Sequence, residues 1–342
     1  MQNDDASAPH AWAAAARVRM AEGTKVMVRW APAAALQTPS GMRGPLEAAA
    51  DMEIDDEDSI PELNTGQIGL DKGRALVLFL HGAGQSSQTW ATTVAELQRM
   101  IRGPNAPALV AYDARAHGAT RISPTDPNTA YETMDKDHLV NDALSLLDAL
   151  CSASNEEDDA RSSAAKPTHV FIVGHSMGGA IACWLAQALQ ASRTETMQVR
   201  GLFVMDAVEE LALASLENSL KSVTSRPAGF ASLEAAVGWA LEHGMTQNPI
   251  SALPSMRGQL RAATPEEAQA FGAEAGLVWR TELEKSYHHW AGWFEGFSQA
   301  FVDIKLINKA ILLAGRERLD QPMMVGHMQG FRYLRFCEKA RS

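Results

Sequence analysis

Residues Gly174-His175-Ser176-Met177-Gly178 fit the pattern G-x-S-x-G. A serine so placed can act as a nucleophile. A strand that turns sharply into a helix lifts the hydroxyl to the tip of the turn, and only glycine leaves room on either side. The neighbours suit that turn: "HVFIV" precedes it as an apolar run and "AIACWLAQAL" follows with helical composition, while Gly179 adds room for helix–strand packing. A serine hydroxyl needs a base to take its proton, and the base needs an acid to orient it.

A second constellation is "HGAG", residues 81–84, directly after the apolar run Ala75–Leu80. In a sheet of this kind the loop after an early strand supplies one backbone N–H to an oxyanion hole, and the residue after the nucleophile supplies the other. The candidates are Ala83 and Met177. Two such donors contribute about 3–4 kcal/mol to lowering the barrier. Gly82 and Gly84 would also suit a phosphate loop, but no G-K-[ST] follows, so a Walker-type site is excluded.

Two acids stand where a base-orienting carboxylate belongs. Asp206 ends the run "LFVMD", and Asp320 lies a few residues beyond "AILLAG". Position alone leaves both open. The chain has ten histidines. His10, His81, His117, His138, His169 and His175 precede Asp206, and His175 sits inside the turn, directed away from the serine. His243, His288 and His289 fall in a long insertion. His327 is the one late histidine and the remaining candidate for a substitute base.

The elements that must position these groups follow a pattern of apolar runs alternating with helical stretches. Runs end at Leu80, Asp113, Gly174, Asp206 and Gly315, each followed by a loop. Between them, "DKDHLVNDALSLLDAL" sets Leu139, Ala143, Leu146 and Leu147 on one helical face. This alternation predicts an α/β fold, a mostly parallel sheet with helices on both faces. Residues 1–65 lack such a pattern and include the acidic run "AAADMEIDDEDSIPEL"; they are expected to be disordered or loosely packed, with the folded domain over 66–342. Residues 151–167 are expected to form an exposed loop. The insertion at about 208–302 is predicted to form a helical cap. Its stripe of Trp290, Trp293, Phe294 and Phe297 at helical spacing serves either as core beneath the cap or as the apolar wall of a pocket.

Composition removes several function classes. The 342 residues carry a net charge of −11, which repels a phosphate backbone and argues against nucleic-acid binding. No run approaches the ~18 apolar residues of a membrane span, and the N-terminus lacks the pattern of a secretory signal. Cys151, Cys183 and Cys337 are far apart, so neither a zinc site nor a disulfide framework is expected; a reducing intracellular compartment is. No cofactor is needed for serine ester chemistry.

The stretches "HGAGQSSQTW", "YDARAHGAT", "VGHSMGGAIA", "SLEAAVGWAL", "WAGWFEGFSQAF" and "LLAGRERLDQPMMVGHMQG" together resemble the protein phosphatase methylesterases, over roughly residues 75–330. The resemblance implies an α/β-hydrolase fold and a carboxylic ester hydrolase. Its substrate would be the methyl ester on the C-terminal leucine of the type 2A protein phosphatase catalytic subunit, which is then the expected partner. It gives Ser176 the nucleophile role and carries the acid onto Asp206 rather than Asp320. It also implies a cytoplasmic location, with the nucleus as a second one. In that family a glycine-histidine loop and a closing helix follow the last strand, here matched by "FRYLRFC". Only "EKARS" remains, without a histidine, so the expectation is a chain shortened at its C-terminus whose catalytic histidine is not evident. Two rivals stand beside this expectation: a generic small-molecule esterase or lipase on the same fold, and a catalytically dead phosphatase-binding protein.

Overall fold

The structure is a computed structural model; it describes residues 12–20, 23–32, 36–37, 59–70, 74–103, 105–122, 127–151, 168–192, 195–271, 276–313, 319–329 and 334–336. In chain order the first elements are β1 (Ala14–Arg19), β2 (Lys25–Ala31), β3 (Leu36–Gln37), β4 (Glu62–Asn64), β5 (Gly69–Leu70) and β6 (Leu76–Leu80). Then come α1 (Ala91–Met100), β7 (Ala108–Tyr112), α2 (Pro127–Glu132), α3 (Lys136–Cys151), β8 (Thr168–His175), α4 (Met177–Ser192) and β9 (Met197–Met205). The insertion holds α5 (Glu209–Thr224), β10 (Gly229–Phe230), α6 (Leu233–Glu242), α7 (Pro249–Gln259), β11 (Leu260–Ala262), α8 (Pro265–Phe271), β12 (Leu277–Trp279), α9 (Tyr287–Phe294) and α10 (Phe297–Asp303). The chain then returns through β13 (Asn308–Leu313), α11 (Gln321–Met328) and β14 (Leu334–Phe336).

Nine strands form one sheet in the order β14-β13-β9-β8-β6-β7-β2-β1-β4. From β14 to β7 every pairing is parallel; β2 joins β7 and β1 joins β2 antiparallel. A parallel strand covered on both faces needs apolar residues at consecutive positions. All five residues of β7 are accordingly buried. Leu139, Ala143, Leu146 and Leu147 of α3 are buried, as the helical spacing predicts. Helix α4 has no charged residue and buries ten of its positions, because it lies between the sheet, α3 and the insertion.

The expected loose segment over residues 1–65 does not hold for residues 14–31. They form β1 and β2 within the main sheet, and Val18, Val26, Met27, Val28 and Trp30 are buried. The charged residues that obscured these strands are themselves buried. The Nε of Arg17 donates to Ala119 O at 2.9 Å, and Arg29 Nη1 donates to Ser87 Oγ at 2.5 Å. Most of the acidic run (51–58) and most of the expected 151–167 loop lie outside the described residues.

The insertion between β9 and β13 has its own small core of Phe230, Ala236, Ala240, Met256 and Leu260, with a three-stranded sheet in the order β10-β12-β11. Helix α5 buries no residue completely. It stands over the carboxyl ends of β8 and β9 with a cavity beneath it.

Candidate active site

Ser176 sits between β8 and α4 with φ 51°. That left-handed conformation is strained for a residue with a side chain and costs of order 1–3 kcal/mol. The surroundings enforce it. Ser176 N donates to Met205 O at 2.9 Å, while Ser176 O accepts from Gly179 N at 2.8 Å and Ala180 N at 3.1 Å. The flanking glycines are required by space: a Cβ on Gly174 would stand 2.1 Å from Gly178 O, and one on Gly178 would stand 2.4 Å from both Leu80 O and His81 O. The turn therefore packs its backbone directly on the end of β6.

The loop after β6 is held by its own hydrogen bonds. Gly82 N donates to Gln85 Oε1 at 3.0 Å, Gln85 N to Gly82 O at 3.1 Å, and Gly84 N to His117 Nε2 at 2.9 Å. The Ala83 N–H has no acceptor among the described residues. Ala83 and Met177 line the same cavity as Ser176.

Two buried histidines clamp this loop. His117 accepts Gly84 N–H at Nε2, so its proton sits on Nδ1, 2.9 Å from Arg115 O. His81 accepts from Ala114 N at 3.0 Å and turns Nδ1 to Gly82 O at 2.8 Å. Burial pushes both imidazoles down, His117 to about 3. Beneath them Asp113 accepts from Ser87 N at 2.7 Å, Ser87 Oγ at 2.5 Å and Ala119 N at 2.8 Å. Burial alone would raise the Asp113 carboxyl. The Arg29 charge, the His81 ring and these donors outweigh it and hold the group below the ordinary carboxylate range.

Asp206 follows β9 directly, at φ 50°, with its N–H bonded to Leu312 O at 2.8 Å. It lines the cavity with Ser176. Asp320 does not. It is buried and caps α11, accepting Met323 N at 3.2 Å on Oδ1, while Ser298 Oγ donates to Oδ2. The loops after β6, β8 and β9, three adjacent strands, thus bring Ala83, Ser176, Met177 and Asp206 to one space, at the carboxyl edge where such sheets bind ligands.

That space is a cavity of about 550 Å³. Trp290, Trp293 and Phe294 form its apolar wall and are buried as well, so both readings of the aromatic stripe hold for these three; Phe297 is buried and does not line it. The indoles are fixed by hydrogen bonds. Trp290 Nε1 donates to Ser286 Oγ at 3.0 Å and Trp293 Nε1 to Met134 O at 2.6 Å. Among the described residues, no cluster of metal-ligating side chains occurs and no helix is long and apolar enough to cross a membrane.

Comparison with known proteins decides the family. Residues 77–338 match the family described as alpha/beta hydrolase. The probable protein phosphatase methylesterase 1 of Caenorhabditis elegans is 35% identical over 252 residues, covering 74% of this chain and 59% of that protein. The protein phosphatase methylesterase 1 of Rattus norvegicus is 30% identical over 320 residues, covering 83% and 74%. E-2-(acetamidomethylene)succinate hydrolase superposes with a TM-score of 0.57 at 14% identity, over 95% of this chain and 91% of that one, a likeness of fold. The chain belongs to the protein phosphatase methylesterases of the alpha/beta hydrolase family. It spans 59% of the length of the nematode relative.

Within this methylesterase family site, no histidine among the described residues lines the cavity. His175 faces the other way: its Nδ1 lies 3.2 Å from Gln85 Oε1 and packs against Gly82. Burial lowers its pKa and the Asp206 charge opposes that shift. His327 is exposed on the last turn of α11. His138 bonds Asp135, His243 stacks on Trp239, and His289 meets Glu132 O at 3.0 Å. His10 lies outside the described residues. Sequence reasoning missed the clamping role of His81 and His117, because nothing local marks a histidine that bonds a distant loop. It also missed Glu209, which accepts Gly296 N at 2.8 Å and Ser298 N at 3.0 Å and ties the start of α5 to α10.

Proposed function

We propose that this chain carries the methylesterase chemistry of its family, removing the methyl ester from the C-terminal leucine of the type 2A protein phosphatase catalytic subunit. The observation that carries this reading is the cavity shared by Ser176, in its strained turn, with Asp206, Ala83 and Met177. In this reading the Ser176 Oγ attacks the ester carbonyl carbon. The N–H groups of Ala83 and Met177 receive the developing oxyanion. The C–O bond to methoxide breaks, methanol leaves with a proton, and water then releases the acyl group as a carboxylate. Asp206 would orient an imidazole that takes the Ser176 proton and hands it to methoxide; no histidine among the described residues lines the cavity, so the described residues supply the nucleophile, the oxyanion donors and the acid of this reaction. The aromatic wall takes the apolar leucine side chain.

The reaction is tested with a peptide ending in leucine methyl ester, scored by methanol release, beside a generic aryl ester and the variant Ser176→Ala. Release from the peptide, lost in Ser176→Ala, supports the proposal. Hydrolysis of the aryl ester alone points to a generic esterase. A second reading is favoured by one observation, that no histidine among the described residues reaches the cavity. It makes the chain a phosphatase-binding protein with an idle serine. Its signature is phosphatase retention in a pull-down with no labelling of Ser176 by a fluorophosphonate.

A further inference from the structure

One wall of the cavity is built by a single helix, α5, which sets three serines among apolar residues. Leu211, Ser215, Ser219 and Ser222 of α5 line it, at steps of four, four and three residues that keep them on one side of the helix. The next position in that series, four beyond Ser222, is Arg226, just past the helix end at Thr224. Of the residues lining the cavity, Asp206 alone is charged. Arg226 stands at the rim, beside the loop after β6.

The Arg226 side chain is half-buried and oriented at two points. Its Nε donates to Val223 O at 3.1 Å, and its guanidinium carbon lies 4.3 Å from the ring centroid of Trp279. The terminal nitrogens point elsewhere. A Cβ on Gly84, the residue after Ala83, would stand 3.9 Å from Arg226 Nη1 and 3.3 Å from Leu283 Cδ2, a cavity residue. The guanidinium therefore lies beside the loop that carries the Ala83 N–H. Its bond to Val223 O caps the helix and accounts for Nε alone. Among the described residues, no hydrogen bond is made to Nη1 or Nη2, and Glu284 acts on the group only through its charge.

Two other arginines of the chain show the two-point grip on a carboxylate. Arg115 grips Asp142 with two nitrogens at 2.7 and 2.6 Å, and Arg261 grips Glu267 at 2.7 and 2.6 Å. A planar guanidinium drawn partly out of water with its outer edge unspent is built to receive a carboxylate in two-point fashion. We propose that Arg226 reads a carboxylate in the substrate polypeptide upstream of the esterified residue, so that the site selects acidic peptide esters over neutral ones. The inference rests on the ester-cleaving reading of the same cavity. The chain would lie along the serine face of α5 with its ester at Ser176, and an aspartate or glutamate side chain would reach the rim.

The test uses fluorescent hexapeptides ending in leucine methyl ester. One is neutral, and the others carry a single aspartate moved stepwise upstream from the ester. Binding is measured by anisotropy in the Ser176→Ala background, which prevents turnover. The expected result is one aspartate position that binds about tenfold tighter than the neutral peptide, as a hydrogen-bonded charge contributes. That ratio should collapse to about one in Arg226→Met and be only partly kept in Arg226→Lys, which retains charge without the fork. Equal binding of every peptide overturns the Arg226 assignment and leaves the esterase reading standing. A ratio that persists in Arg226→Met overturns it as well. Binding of no ester peptide at all refutes both.

Discussion

Replacing His117 with glutamine should flatten the fall in stability on acidification. His117 is buried with Nε2 accepting from Gly84 N and Nδ1 facing Arg115 O. Burial pushes its pKa from 6.5 to about 3, and the nearby His81 adds to the shift. The unfolded chain takes up a proton as the pH drops below 6.5, while the folded chain does not until about pH 3. Stability from this group is therefore complete above 6.5 and lost as pH falls toward 3. Moving from about pH 7 to about pH 5 crosses roughly 1.5 units of that window, which at 1.36 kcal/mol per unit removes about 2 kcal/mol. Glutamine offers an acceptor and a donor but no titratable proton. Urea unfolding of the natural chain and of His117→Gln at both pH values supplies the assay. His81 and the buried carboxylates titrate in both proteins, so the difference between the two pH drops isolates His117. The natural chain should lose about 2 kcal/mol more than the variant. Equal losses in the two proteins would refute the claim that a neutral His117 clamps the loop.

Two further perturbations probe the scaffold. Gly178→Ala drives a methyl carbon to 2.4 Å from two main-chain oxygens at the end of β6, so it should cost about 1–3 kcal/mol, read as a lower urea midpoint, and slow any reaction of Ser176 with a fluorophosphonate. Arg115→Met strands the carboxylate of Asp142, which is 4% exposed, and should cost about 3–5 kcal/mol; adding Asp142→Leu should restore most of that loss in thermal unfolding.

The serine turn was legible because its requirements are local. A strand, two glycines and a helix lie within a short stretch, and each is needed by the backbone geometry at Ser176. The parallel strands β6 and β7 were legible for a related reason: strands buried on both faces write unbroken apolar runs, whereas β8 and β9 keep apolar runs although their burial alternates. β1 and β2 were not. Arg17 and Arg29 interrupt their apolar pattern, and charge in a strand reads as solvent exposure until its partners are seen. Those partners, Ala119 O, Ser87 and Asp113, are 102, 58 and 84 residues away in the chain, and nothing local to either strand announces them.

The acid was a choice between Asp206 and Asp320 on position alone, since both follow strands. The fold separates them by what each faces. Asp206 opens onto the cavity at Ser176, whereas Asp320 spends its oxygens on Ser298 and the start of α11. The same holds for the histidines. His81 and His117 belong to motifs that look catalytic, yet their rings are consumed by main-chain N–H and C=O groups of neighbouring loops. Residue type and spacing along the chain determined which backbone turn this protein makes and which serine sits at its tip. Which acid shares that space, which histidines are structural and which arginine reaches the rim were decided by tertiary structure, because each depends on contacts between segments that only the folded sheet brings together.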